Sequence, residues 1–306
     1  MSRSIALAHI VRQDDGVATG VWANYTLQSA FQPIFAFRGG RLEIAAFEGL
    51  ARPFRNGAGV APGDFFRTIP AGDRLHVETL TRTLHLLNAG AFIAPPAMVF
   101  VNFDPSVFVE RQLADASLRD MRLTLHEAGI DPRRIVCEVT EKRSASEKTL
   151  AGFVAALRDH GFRIAVDDYG AEESDMERVA ALRPDIVKFD ARWIARLMET
   201  RPGFALLEVM VRQFSERGIG IVFEGIEEGW QLELAERAGA DMVQGFVLAR
   251  PELAPPRFAT FAAAGTMPAG AAHSSAPMPD ASATTPHAAH HPTGPAHRSF
   301  GRRRSG

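Results

Sequence analysis

Two adjacent aspartates, Asp167 and Asp168, end an apolar stretch that begins at Arg163 and turns at Gly170. The stretch is typical of a β-strand, in which neighbouring side chains point to opposite faces. Where the backbone bends at a strand end, both carboxylates can still reach one site. One aspartate that bridges two cations, beside a second that binds one of them, suits a two-metal phosphoryl-transfer centre. For this octapeptide alone, a solvated strand end or a helix N-cap is the alternative.

Most other apolar stretches of the chain also end in a polar residue that could bind a cation. These end residues are Glu48, Asn102, Glu138, Asp167 with Asp168, Lys188, Glu224 and Gln244. Carboxylate and amide oxygens suit hard cations such as Mg²⁺ or Mn²⁺, and no His or Cys favours Zn²⁺. Two divalent ions would largely neutralise carboxylates that otherwise repel one another. The lysine adds a positive charge that could hold a nucleophilic water or a leaving oxygen, which suits the cleavage of a phosphate ester.

Taken singly, each of these residues also has a purely structural explanation. Glu138 could pair with Arg134, and Asn102 could lie in a turn. Lys188 could form a surface ion pair with Asp190, which would contribute little to stability. Their placement as a set, on the ends of successive strands, favours the functional interpretation.

The elements that must position these residues alternate along the chain. Strands are predicted at residues 31–37, 43–52, 98–103, 135–141, 163–170, 186–190, 220–227 and 242–246. Helices are predicted at residues 64–90, 106–128, 145–160, 175–182, 203–217 and 230–238, and a short helix at 24–30 leads into the first strand.

This alternation predicts parallel strands with covering helices, and eight such units fit a TIM-type (β/α)8 barrel. Residues 38–41, Arg-Gly-Gly-Arg, predict a hairpin turn, so we expect the first strand to run antiparallel to the rest. An open doubly wound sheet is the alternative. It would not gather polar ends from every strand around one point, whereas a closed barrel does.

Three regions are expected: a lead-in at residues 1–23, the barrel at 24–258, and a low-complexity tail at 259–306. Small and polar residues dominate the tail, which is therefore predicted to be disordered. Its histidines could bind a metal adventitiously, although a solvated tail is the simpler interpretation.

The composition of the chain indicates which partners and which cellular location to expect. The net charge of −2 does not point to a nucleic-acid polymer or a membrane surface as partner. The single cysteine, Cys137, excludes a disulfide framework within the chain, which fits a cytoplasmic location. No signal peptide is recognised, and no window approaches the roughly 20 apolar residues of a membrane span.

Eight short motifs, in this order and on these predicted strands, make the sequence resemble the EAL-domain family of bacterial phosphodiesterases, which cleave cyclic di-GMP. The resemblance runs from about residue 27 to 255. The motifs are Phe31-Gln32-Pro33-Ile34, Phe47-Glu48-Gly49-Leu50-Ala51-Arg52, Val101-Asn102, Glu138-Val139-Thr140-Glu141, Val166-Asp167-Asp168-Tyr169-Gly170, Val187-Lys188-Phe189-Asp190, Glu224-Gly225-Ile226-Glu227 and Gln244-Gly245-Phe246.

The resemblance implies a role for each matching residue. Two Mg²⁺ or Mn²⁺ ions are implied, one bound by Glu48, Asn102, Glu138 and Asp167, the other by Asp167 and Asp168. Glu224 matches the general base and Lys188 the lysine that positions the attacking water. The substrate-lining positions are Gln32, Arg52, Asp190, Glu227 and Gln244. Glu141 matches a glutamate that anchors the loop after the paired aspartates.

Two positions depart from the family pattern. Gly49 stands where the family has alanine, which removes one methyl and keeps the ligand, so a mild effect is expected. Residues 171–175 read Ala-Glu-Glu-Ser-Asp, which loses a glycine and adds three acidic groups beside the metal site. In the family this loop is coupled to dimerisation, so its divergence bears on turnover and on a homodimer as the assembly.

The sequence therefore predicts a hydrolase that opens cyclic di-GMP to the linear dinucleotide. A silent module that binds cyclic di-GMP or a protein partner is the first alternative, and the altered loop motivates it. Another Mg²⁺-dependent barrel enzyme, acting on a sugar or an enolate, fits the oxygen ligands equally well but does not explain the motif order.

Overall fold

A computed structural model gives the structure, which describes residues 6–104, 111–140, 147–171, 179, 182–258 and 267–268. Its strands are β1 (Ile10–Arg12), β2 (Ala18–Trp22), β3 (Tyr25–Arg38), β4 (Arg41–Arg55), β5 (Ala58–Gly59), β6 (Met98–Phe103), β7 (Ile135–Thr140), β8 (Arg163–Tyr169), β9 (Ile186–Phe189), β10 (Gly220–Phe223), β11 (Met242–Val243), β12 (Glu252–Leu253) and β13 (Met267–Pro268).

Seven α-helices lie within the described residues. They are α1 (Pro62–Thr68), α2 (Arg74–Phe92), α3 (Arg111–Ala128), α4 (Glu147–Asp159), α5 (Ala191–Met198), α6 (Arg201–Ser215) and α7 (Gly229–Ala238). Within this part of the chain, none of the helices combines the length and the apolar composition needed to cross a bilayer.

Eight strands close into a barrel in the order β3-β11-β10-β9-β8-β7-β6-β4, and β4 pairs again with β3. Strand β3 is antiparallel to both of its barrel neighbours. The other neighbouring pairs in the ring are parallel. The predicted TIM-type barrel and its antiparallel first strand are therefore confirmed, and the open doubly wound sheet is wrong.

A tight turn explains the single reversed strand. Gly39 and Gly40 both have positive φ, at 58° and 72°, and they join Arg38 to its cross-strand partner Arg41. Two consecutive residues with positive φ are typical of the type I′ turn, whose twist matches the twist of a two-stranded antiparallel ribbon.

The short helix predicted at residues 24–30 is wrong, because this segment is the start of β3. Tyr25 and Leu27 are buried while Thr26 between them is exposed, which is the period-two alternation of a strand. The segment pairs with β2 on one side and with the end of β4 on the other. Tertiary pairing therefore extends the sheet beyond the barrel.

Other differences concern the helices and the tail. The helix predicted at 64–90 is two helices, α1 and α2, separated by a break that contains Pro70. Helix α5 was not predicted. Most of the helix predicted at 175–182 lies outside the described residues, as does the tail, apart from the two residues of β13, which pair with β4.

Two apolar layers hold the barrel together. The outer layer packs the helices against the outward side chains of the strands and forms the largest buried cluster. The inner layer fills the barrel with one or two side chains from each strand: Ile34, Ala36, Ala46, Phe100, Val136, Ala165, Ile186, Val222 and Met242. Because alternate residues of a strand share a face, the residue two positions beyond each inner-layer residue also points into the barrel.

Candidate functional site

The polar strand ends lie one step above the inner apolar layer. On each parallel strand, two residues beyond the last inner-layer side chain, the sequence places a polar residue: Glu48, Asn102, Glu138, Asp167, Lys188, Glu224 and Gln244. On the reversed β3, Gln32 is two residues before Ile34 and pairs with Glu48. The strand period therefore brings these residues to the carboxyl-terminal mouth of the barrel, the face on which TIM-barrel active sites lie.

Lys188 lies at the centre of this mouth. Its Nζ is 2.5 Å from Glu138 Oε1 and 2.5 Å from Glu224 Oε1. It is 3.2 Å from Asp167 Oδ1 and 3.7 Å from Glu48 Oε2. The lysine side chain is 1% exposed, so the suggestion of a surface pair with Asp190 is wrong. Four carboxylates from four different strands thus converge on one ammonium group.

The adjacent aspartates share the site because the backbone turns between them. Asp168 has φ of 59°, in the left-handed region that Asp tolerates better than most side chains. The β8–β9 register shifts between Val166 and Tyr169 at the same place. Carboxylate oxygens of Asp167, Asp168 and Glu224 consequently lie within 4.8 Å of one another, as ligands of a shared ion do.

Within the described part of the chain, several buried acidic oxygens in this cluster have an ion-pair contact with Lys188 at most. Both oxygens of Glu138 and Oδ1 of Asp167 are buried without an aligned hydrogen-bond donor among the described residues, although Lys188 is close to each side chain. Buried polar atoms are normally satisfied. An all-oxygen donor set with unsatisfied buried carboxylates fits divalent cations of the Mg²⁺ or Mn²⁺ type.

The pKa values of the cluster reflect burial and crowding. Burial raises the pKa of Glu138 well above its usual value, and the neighbouring carboxylates add to this while Lys188 opposes it. Burial is also the largest cause that raises the pKa of Glu224 to about 8. Burial alone would lower the pKa of Lys188, but the surrounding carboxylates raise it well above its usual value. Without cations, the site therefore disfavours full ionisation of its acids.

One cavity of about 260 Å³ opens beside Glu48 and Glu224, and three predicted substrate-lining residues, Gln32, Glu227 and Gln244, line it. Gln244 Nε2 donates to Glu48 Oε2 at 2.9 Å, and Gln32 Nε2 donates to the Ala249 carbonyl at 3.2 Å. Phe246, which we had not singled out as a site residue, lies on the same rim and is 46% exposed. An aromatic residue shortly after a strand end was the sequence signal that could have identified Phe246.

Arg52 and Asn102 line a second cavity of about 410 Å³, between β4, β6 and helices α1 and α2. Asn102 is level with Glu138 on the neighbouring strand. Burial lowers the pKa of Arg52, and Glu48 partly opposes this change. The two cavities thus lie on either side of the Glu48 strand end.

The remaining predicted residues are Asp190 and Glu141. Asp190 caps α5, since its Oδ1 accepts a 2.8 Å hydrogen bond from the Trp193 backbone amide. Glu141 and residues 172–175 of the divergent loop lie outside the described residues.

Sequence reasoning also missed a stripe of polar residues on the buried face of α2. Glu78, Arg82 and His85 line the 410 Å³ cavity together. Arg82 NH2 donates to Ser117 Oγ at 3.0 Å, and its NH1 reaches the Asn102 carbonyl at 3.4 Å. Polar residues spaced four and three apart in an otherwise apolar helix face were the available signal.

The chain is similar in sequence to the cyclic di-GMP phosphodiesterase RocR of Pseudomonas aeruginosa. The two are 29% identical over 235 residues, which cover 74% of this chain and 58% of RocR. This chain is also 26% identical to the uncharacterised protein y4lL of Sinorhizobium fredii, over 74% of this chain and 27% of that protein. The chain therefore spans less than two thirds of the length of these relatives.

Two solved structures have the same fold with ligands bound. One is the Bacillus subtilis YkuI protein, with an EAL domain, in complex with substrate c-di-GMP and calcium: TM-score 0.65, 25% identity, 74% of this chain and 56% of that chain. The other is Klebsiella pneumoniae BlrP1 in a manganese and c-di-GMP complex: TM-score 0.64, 25% identity, with the same coverage of both chains.

The sequence model of the EAL domain matches residues 19–251, a stretch that contains all eight barrel strands and every polar residue at the barrel mouth. Since that stretch is most of the described chain, this chain belongs to the EAL domain family.

Proposed function

We propose that the chain is a metal-dependent phosphodiesterase that hydrolyses one phosphodiester bond of cyclic di-GMP and releases linear pGpG. The observation that carries this proposal is the convergence of Glu48, Glu138, Asp167 and Glu224 on Lys188 at the barrel mouth. The similar structures of YkuI with calcium and BlrP1 with manganese both contain c-di-GMP, which supports the same substrate class.

The residues fit a pair of hard cations. Glu48, Asn102, Glu138 and Asp167 would hold one ion, and Asp167 with Asp168 would hold the other. When bound, such ions polarise the phosphate and lower the pKa of a coordinated water. They would also neutralise the crowded carboxylates, including the buried oxygens of Glu138 and Asp167 that accept no hydrogen bond from the described residues.

The chain's own residues supply the remaining steps. Lys188, which four carboxylates surround at the barrel mouth, would donate a hydrogen bond to the attacking water or to a phosphate oxygen. Glu224, whose pKa of about 8 bound cations would lower, would accept a proton from the water as the water oxygen bonds to phosphorus. The bond from phosphorus to one ribose oxygen breaks, and that oxygen takes up a proton to become the hydroxyl of the linear product.

The 260 Å³ cavity would take a nucleoside part of the substrate. Gln32, Glu227 and Gln244 offer hydrogen-bonding groups to a base edge, and the exposed ring of Phe246 offers a stacking face. The guanidinium of Arg52, in the 410 Å³ cavity, would contact a phosphate.

The test is turnover of cyclic di-GMP by the purified chain with Mg²⁺ or Mn²⁺, followed by chromatography of the products. We expect linear pGpG with metal and none after chelation. Asp167→Asn should reduce the rate to background while the melting temperature stays near that of the wild type. Glu43→Gln is the matched control, because Glu43 lies on the same strand as Glu48 at the opposite end of the barrel. Nucleotide binding with metal but without product would defeat the proposal.

A silent receptor of cyclic di-GMP is the second candidate, and the acidic sequence of residues 171–175 favours it. It predicts saturable, metal-dependent binding of the intact nucleotide and no linear product. The homodimer and the boundaries at residues 23 and 258 stay predictions, which size-exclusion chromatography and limited proteolysis can address.

A further inference from the structure

Gly49, the residue after Glu48, lies in contact with the His85 ring from α2. A Cβ added at this glycine would be 3.0 Å from His85 Cγ, 3.1 Å from its Cβ and 3.3 Å from its Cδ2. Such distances are tighter than ordinary packing contacts, so a methyl fits only if the ring or the strand moves. The space beside this strand is thus already occupied by the histidine.

The His85 ring is held in place by a buried chain of hydrogen bonds. Its Nδ1 is 2.8 Å from Ser29 Oγ, and Asn88 Nδ2 donates to the same oxygen at 3.0 Å. Asn88 in turn accepts from the Ala18 amide at 2.8 Å and donates to the Ala18 carbonyl at 3.0 Å. The ring is therefore tied to three separate elements, β2, β3 and α2.

Burial, aided by the charges of Arg52 and Arg82, lowers the pKa of His85 to about 3. The ring is neutral and adds no positive charge behind the acidic mouth of the barrel.

Because Glu48 directly precedes Gly49, a shift of the backbone at Gly49 also moves the Glu48 carboxylate at the barrel mouth. This carboxylate is held by Gln244 and faces Lys188 across 3.7 Å. Metal ligands must keep their geometry within a few tenths of an ångström, and residues that support them affect affinity strongly.

We propose that His85 is a positioning residue for Glu48: its ring, matched to Gly49, sets the position of this strand end and thereby the aim of the carboxylate toward a bound divalent ion. This inference rests on the proposed function for the presence of the ion. In this proposal, the missing side chain at Gly49 leaves room for the His85 ring, and the two residues act as a pair.

The experiment measures Mn²⁺ affinity by titration calorimetry in four full-length proteins: wild type, Gly49→Ala, His85→Ala and the double variant. We expect Gly49→Ala to weaken Mn²⁺ binding by about tenfold, because the added methyl displaces the strand. The double variant removes the ring contacts of the methyl but also lacks the ring, so we expect its Mn²⁺ affinity to fall by less than the product of the two single losses. A merely structural role would lower the melting temperature without such non-additivity in metal binding.

Gly59→Ala is the matched control, since a Cβ there meets only Phe54 at 3.8 Å. We expect its Mn²⁺ affinity to equal that of the wild type. Unchanged binding in Gly49→Ala, or a double variant in which the two single losses multiply, would overturn the proposal.

His85→Ala alone gives an independent measurement, because it removes the ring without adding an atom to the strand. It should also bind Mn²⁺ more weakly, and wild-type affinity in this variant would contradict the proposal. Absence of Mn²⁺ binding by the wild type would overturn this inference as well. Mn²⁺ binding without production of pGpG would overturn the hydrolase proposal alone.

Discussion

The two sides of the barrel mouth are supported in different ways. Behind β8, β9 and β10 lies an aromatic cluster centred on Phe189, whose ring centroid is 5.2 Å from Tyr169 and 5.3 Å from Phe223. Behind β4 and β6 lies the polar face of α2, where Arg82 and His85 make hydrogen bonds to Ser117 and Ser29.

We infer from this difference that one side mainly stabilises the fold and the other mainly positions the site residues. Apolar burial is non-directional and scales with buried area, so the aromatic side should supply much of the folding free energy. Hydrogen bonds contribute less net free energy but depend on direction and distance. The polar side should therefore contribute less to stability and more to the placement of Glu48 and Asn102.

Replacing Phe189 by alanine tests the aromatic side and should have the largest effect on stability. The ring is fully buried, so we expect a loss of about 3–5 kcal/mol in the free energy of unfolding, from lost burial and the cavity left behind. Denaturant unfolding followed by fluorescence measures it. Leu206→Ala on the exposed face of α6 is the control and should change stability by less than about 0.5 kcal/mol. A loss below about 1 kcal/mol at Phe189 would contradict the comparison.

Lowering the pH should reduce the free energy of unfolding through protonation of His85 on the polar side. Burial, aided by the charges of Arg52 and Arg82, lowers the pKa of His85 to about 3, so the folded protein keeps the ring neutral while the unfolded chain protonates it below about pH 6.5. Stability from this group is therefore present above pH 6.5 and lost as pH falls. Between pH 6.5 and 5 we expect a loss of about 2 kcal/mol.

Comparison with His85→Gln isolates that effect. Burial raises the pKa of Glu78 to about 7, which acts in the opposite direction over part of the same range and is common to both proteins. The stability difference between wild type and His85→Gln should therefore shrink toward acid pH. Parallel stability curves from pH 7 to 5 would show that His85 is not the titrating group.

Removing the Ser29 hydroxyl should have the smallest effect. Ser29→Ala removes the hydrogen-bond partner of His85 Nδ1 at a buried position, and we expect a loss of about 1 kcal/mol in the free energy of unfolding. Thr26→Ala, on the exposed side of the same strand, is the control and should be close to neutral. A Ser29 effect as large as that of Phe189→Ala would show that the polar side also determines stability, and the contrast between the two sides would fail.

Local signals in the sequence account for the barrel and its mouth. The Gly39-Gly40 turn reverses one strand, and apolar stretches that end in acids define the others. The helix predicted at 24–30 fails because the local pattern there is short, and pairing with β2 and β4 decides its conformation. Helix α5 was missed because it follows β9 directly, starting at the Asp190 cap.

The sequence by itself determined which residues point into the barrel mouth, because strand alternation is a property of neighbouring residues. It could not determine that Lys188 lies among four carboxylates, or that the His85 ring occupies the space beside Gly49. Those contacts join residues far apart in the chain, and only the closure of the barrel and the packing of α2 against it bring them together.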